Sequence, residues 1–137
     1  MSKFTYAKTM IKVGSGTLDL SSLSDVRAIL IEDGGYSQDE ILDEFLSDIP
    51  SGARIATQAL ANYDFGSSST AIATADAVTF TSPPASRTVK GIVLYEDTGV
   101  EATSPLLSYD DEQDGLPVLT DGTDIFVVWD EYLFKVG

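Results

Sequence analysis

Apolar and polar positions alternate with period two along most of the chain, and turn residues punctuate the runs about every ten positions. Asp25 to Glu32 begins as alternation, ends as a β-branched run and stops at Gly34-Gly35. Asp76 to Thr81 alternates up to Pro83-Pro84, and Val89 to Tyr95 runs into Asp97-Thr98-Gly99. Leu106 to Tyr109 is short and precedes an acidic turn. Asp124 to Trp129 is the strongest strand, entered through a hairpin-type turn at Asp121-Gly122. Tyr132 to Val136 closes the chain, and Gly16 to Leu20 and Arg54 to Tyr63 are weaker strand candidates. Since neighbours on a strand face opposite ways, Ile125, Val127 and Trp129 are expected in the core. Phe126 and Val128 are expected to face the helix or a subunit interface.

One segment carries a helical pattern. Ser37 followed by Glu40 has the capping-box spacing, and Ile41, Leu42, Phe45 and Leu46 form one apolar stripe before Pro50 and Gly52. The pattern therefore predicts an all-β fold. It reads as a β-sandwich or jelly-roll-like barrel of about 7–9 short antiparallel strands with one short helix near 38–46. Residues 1–20 are expected to form an N-terminal arm and first strand, and residues 21–137 a single β domain. Phe65 to Thr70 reads as a polar loop.

Composition narrows the function more than the fold. The 137 residues include 22 acidic and 8 basic side chains and no His or Cys, for a net charge of −14. Thiolate nucleophiles, zinc–thiolate sites and a Ser-His-Asp triad are excluded. Such a charge repels phosphate, so nucleic acid is not an expected partner. The apolar runs are too short to span a membrane as a helix, and the N-terminus lacks the apolar core of a secretory signal. Three of the eight basic residues, Lys3, Lys8 and Lys12, fall in the first twelve positions, which hold no acid. They read either as a solubilising terminus or as a basic arm that docks on an acidic neighbour.

The acidic turn is the one metal candidate. Asp110, Glu112 and Asp114 occupy positions 1, 3 and 5 of a calcium-type loop, with Gly115 at position 6. Asp121 stands where a bidentate glutamate is expected, and Pro117 interrupts the second half. A solvated turn outweighs a weak calcium site, and calcium is the only cofactor these residues suggest. With 22 acids, carboxylate pairs arise by chance and do not identify a glycosidase. Gly14-Ser15-Gly16 lacks the lysine and helix of a phosphate loop. No catalytic set emerges, and an enzyme is not expected.

Several segments, in order, carry a family resemblance. They include FLSDIPSGARIAT at 45–57, ADAVTF at 75–80, IVLYEDTG at 92–99 and SPLLSY at 104–109. GLPV at 115–118, DGTDI at 121–125, Trp129-Asp130 and LFKV at 133–136 follow. Together, over about residues 25–136, these resemble a family of small virion structural proteins of tailed bacteriophages, of the capsid decoration or auxiliary type. The match is loose over Lys8 to Leu20, and the acidic turn is more charged than the family pattern. The resemblance implies a virion component, assembled in the host cytoplasm, with no catalytic residues to carry over.

The expected function is a capsid decoration or cement protein that binds the major capsid protein or neighbouring virion proteins. It is expected to act as a homo-oligomer, a trimer among the options, through Lys3, Lys8, Lys12 and exposed loops. A tail, head–tail adaptor or fibre-associated protein is the alternative. A calcium-dependent carbohydrate-binding module is the rival from another class.

Overall fold

The computed structural model describes residues 2–66, 71–129 and 132–136. Its strands, in chain order, are β1 (Lys3–Thr5), β2 (Val26–Glu32), β3 (Arg54–Ala59), β4 (Asp64–Phe65), β5 (Ile72–Thr74) and β6 (Val78–Phe80). They continue with β7 (Thr88–Glu96), β8 (Leu106–Asp110), β9 (Val118–Leu119), β10 (Ile125–Val127) and β11 (Phe134–Lys135). One α-helix, α1 (Ala7–Gly14), follows β1. The fold is all-β with a short helix, as expected, and all strand pairs among the described residues are antiparallel. Part of the predicted loop at 65–70, residues 67–70, lies outside the described residues.

The central sheet runs β1-β8-β7-β2-β3, and β9 pairs with the first residues of β7. Two small sheets, β10-β6 and β11-β5-β4, lie apart from it. Alternation along β2 and β7 divides the core in two. Ala28, Leu30, Ile92 and Leu94 face one side, where Ala73, Val78, Phe80 and Phe134 of the small sheets, together with Leu133, cover them. Ile29, Ile31, Val93 and Tyr95 face the other, covered by Tyr6, Tyr36, Leu46, Ile49 and Ala53. A sheet buried on both faces needs apolar residues at consecutive positions, which explains the unbroken runs in β2 and β7. In β8 the register moves from Leu94↔Ser108 to Tyr95↔Leu106. Leu107 is thereby skipped, and the bulge lets Leu106 and Tyr109 reach the same side.

Four expectations are corrected. The short helix lies at 7–14 and not at 38–46. Aspartates divert the backbone of the 38–46 segment: Asp39 Oδ1 accepts from the amides of Ile41 and Leu42, both at 3.0 Å. Asp43 Oδ2 accepts from Asp39 N, and Asp48 Oδ2 from Glu44 N and Phe45 N. These local bonds compete with helix propagation. Phe45 instead bridges to Pro105, and Leu46 N donates to Ser104 O.

Second, residues 1–20 hold a first strand, as expected, but it lies at 3–5 within the central sheet and, among the described residues, no free arm precedes it. β1 is the edge strand of the central sheet, Tyr6 is fully buried, and Tyr6 N donates to Leu107 O at 3.1 Å. The Thr9 hydroxyl donates to Leu106 O and fixes α1 to β8. Third, Gly16 to Leu20 forms no strand; a 3-10 turn starts at Leu20, capped by Asp19. Fourth, the Asp121-Gly122 turn closes no hairpin, since β9 pairs with β7 and β10 with β6.

Candidate functional site

The acidic turn is anchored by its first residue, Asp110, and by Gln113, while its other acids stay at the surface. Asp110 is buried, accepts from Glu112 N at 2.8 Å, and lies 3.5 Å from Lys3 Nζ. Glu112 and Asp114 are exposed. Asp121 lies in its own turn, where its Oδ1 accepts from Thr123 N and Oγ1; the hydroxyl bond in particular holds its carboxyl below the usual range. Among the described residues no three acids gather in a way that would hold a metal ion. Asp110, Glu112, Asp114 and Asp121 are therefore near in sequence but do not converge as calcium ligands would.

The three lysines are likewise engaged within the chain. Lys3 pairs with Asp110 and stands 4.6 Å from the Tyr132 ring centroid. Lys12 Nζ is 2.7 Å from Glu44 Oε2, and Lys8 shares the same carboxylate at 3.9 Å. They fasten β1 and α1 to the domain and are not projected together as an arm.

Apart from Asp110, the buried ionisable groups among the described residues are tyrosines. Tyr6 and Tyr36 share a hydroxyl–hydroxyl bond of 2.9 Å, and Tyr36 donates to Asp43 Oδ2 at 2.5 Å. Burial pushes both hydroxyls well above the ordinary tyrosine range. Neither serves as a base near neutral pH, and the chain of bonds satisfies polar groups that would otherwise be costly to bury.

Two of the cavities lined by described residues bear on function. One of about 490 Å³ is lined by Lys3, Lys135, Glu40 and Glu112, so opposite charges share its wall. The other, about 450 Å³, is a half-open groove between β10 and the loop from Gln113 to Leu116, with Leu30 and Ile92 at its floor. Ile125, Val127 and Trp129 pack against the core, as alternation predicts, though each stays half-buried. Phe126 and Val128 are 65% and 61% exposed, so neither faces a helix as expected. Phe126 on β10 and Val128 just after it put two large apolar side chains on the surface of a highly charged chain beside a groove; Ile41 and Leu42 are as exposed, at 62% and 65%, but line neither cavity described above.

Alternation identified the outward pair, but the groove beside it was not legible. Its loop wall comes from the acidic turn, and nothing local in the sequence places that turn opposite β10. No protein-family model matches the chain, and no curated protein matches it either.

Proposed function

We propose that this chain is a non-catalytic structural protein of a tailed-bacteriophage virion, most specifically a capsid decoration protein present in many copies. The observation that carries the reading is the exposed Phe126–Val128 pair beside an apolar-floored groove on an acidic β domain. A surface of that kind suits contact with another protein and supplies no chemistry of its own. The ordered run of segments resembling phage virion proteins gives the contact a setting. The engagement of Lys3, Lys8 and Lys12 within the chain supports attachment through β10 and nearby loops in place of a basic arm. Attachment as a homo-oligomer to the major capsid protein would multiply a modest contact by effective concentration.

The test is quantitative mass spectrometry of purified virions from the phage that encodes this chain. Copies in the hundreds support decoration. Six or twelve copies would move the protein to the tail axis, and absence from the particle would overturn the virion reading.

A further inference from the structure

We infer that the open edge of β10 is a strand-addition site for an extended, apolar segment of a partner protein that carries lysine or arginine. The inference deepens the reading above by naming the partner's chemistry. Its test reads peptide binding and not virion content, so the two fail separately.

Five consecutive residues, Ile125 to Trp129, line the groove. Side chains of neighbouring strand residues point to opposite faces, so a groove touched by Ile125, Phe126 and Val127 alike follows the edge of β10 and not one face. That edge is open. β10 pairs with β6 alone, in the register Ile125↔Phe80 to Val127↔Val78. Among the described residues no other backbone hydrogen bond reaches Phe126, Val127 or Val128. Natural sheets protect such edges with a lysine, a proline or a bulge. Residues 125–129 contain no lysine, proline or other charge, and the β10–β6 register is regular. An unprotected, β-branched and aromatic edge beside a preformed groove is the geometry that strand addition uses, with main-chain bonds for affinity and side-chain pockets for specificity. The three residues of β10 span about 10 Å, enough to pair with a short added segment.

Charge selects the occupant. Asp114 lies on the facing wall, Asp121 and Asp124 stand in the turn that leads into β10, and no lysine or arginine lines the groove. A second copy would bring the same acids to the same edge, on a chain of net charge −14. Like charges brought together at an interface oppose pairing, and a basic segment is favoured by the same field.

A random dodecapeptide library is selected against the immobilised full chain, with circular dichroism used to check that each variant folds. Binding of enriched peptides is followed through Trp129, the chain's single tryptophan, which stands in the groove wall. The expected peptides alternate apolar and polar residues and carry at least two lysines or arginines. Their affinity falls about tenfold in Phe126→Lys and about threefold in Asp114→Asn, and weakens with salt. N-methylation of alternate backbone amides in the peptide abolishes binding. No enrichment, an acidic or helix-periodic consensus, or indifference to N-methylation overturns the inference. So does dimerisation of the chain that Phe126→Lys abolishes in sedimentation, which would give the edge to a second copy.

Discussion

Lys12 Nζ lies 2.7 Å from Glu44 Oε2 and 4.1 Å from the Phe45 ring centroid, joining the helix near the N-terminus to the segment that covers one face of the central sheet. Both partners of the ion pair are about a quarter exposed, and it is worth at most about 1 kcal/mol by itself. The adjoining residues matter more, because Tyr6 is fully buried against Ile29, Val93 and Tyr109 in the same core.

Deletion of residues 1–12 is therefore expected to destroy cooperative folding, while Lys12→Ala lowers stability by about 1 kcal/mol or less. Truncating the buried Tyr6 ring to alanine should cost about 3–5 kcal/mol. Urea unfolding followed by circular dichroism checks all three. A truncated chain with an unchanged midpoint would return residues 1–12 to the status of an arm.

The tyrosine pair predicts weakness in alkali. Burial raises the hydroxyls of Tyr6 and Tyr36 above their ordinary value of 10.0. A raised folded-state pKa gives stability that is complete below the unfolded value and is lost as pH rises, because the unfolded chain releases its protons first. The melting temperature should fall above about pH 10, with a shallower slope in Tyr36→Phe. Equal slopes in the two proteins would remove the pair from the alkaline limb.

Acid acts through a different contact. Arg87 Nη2 donates to Glu32 Oε1 at 2.8 Å and holds that carboxyl below its ordinary 4.5. A depressed folded-state pKa contributes stability above the unfolded value and loses it as pH falls. Glu32→Gln should flatten the fall in melting temperature below about pH 4.5. An unaltered acid limb would show that other carboxylates set it.

Gly35 packs where a side chain has no room. A Cβ there would stand 2.8 Å from the Cβ of Ala53, a buried residue of the covering segment. Gly35→Ala should cost about 1–3 kcal/mol by overpacking. Ala53→Gly in the same chain should recover part of that loss, which a double-mutant cycle measures as coupling. Additive losses would place the strain elsewhere.

The two sides of β10 should respond differently. Val127 packs against the core, so Val127→Asp is expected to cost more than about 2 kcal/mol or abolish soluble expression. Phe126 is exposed, and Phe126→Ser should change stability by less than about 0.5 kcal/mol. Equal losses at both positions would mean that β10 is buried on both faces.

The residues alone determined the all-β class, the main strands, and the opposite facing of Val127 and Phe126. Each follows from period-two alternation, a local property of neighbouring positions. Local pattern also predicted a helix at 38–46, because the capping spacing and apolar stripe are real. It could not show that Asp39, Asp43 and Asp48 would take the backbone amides that such a helix needs. Nor could it place Lys3–Thr5 beside β8, more than a hundred residues away, or the 113–116 loop opposite β10. Those pairings are non-local. They exist because the sheet must bury both faces and satisfy its edge groups, and that requirement belongs to the assembled core. Tertiary structure therefore decided that the first lysines are fastenings, that the acidic turn is a wall, and that one strand edge is left open.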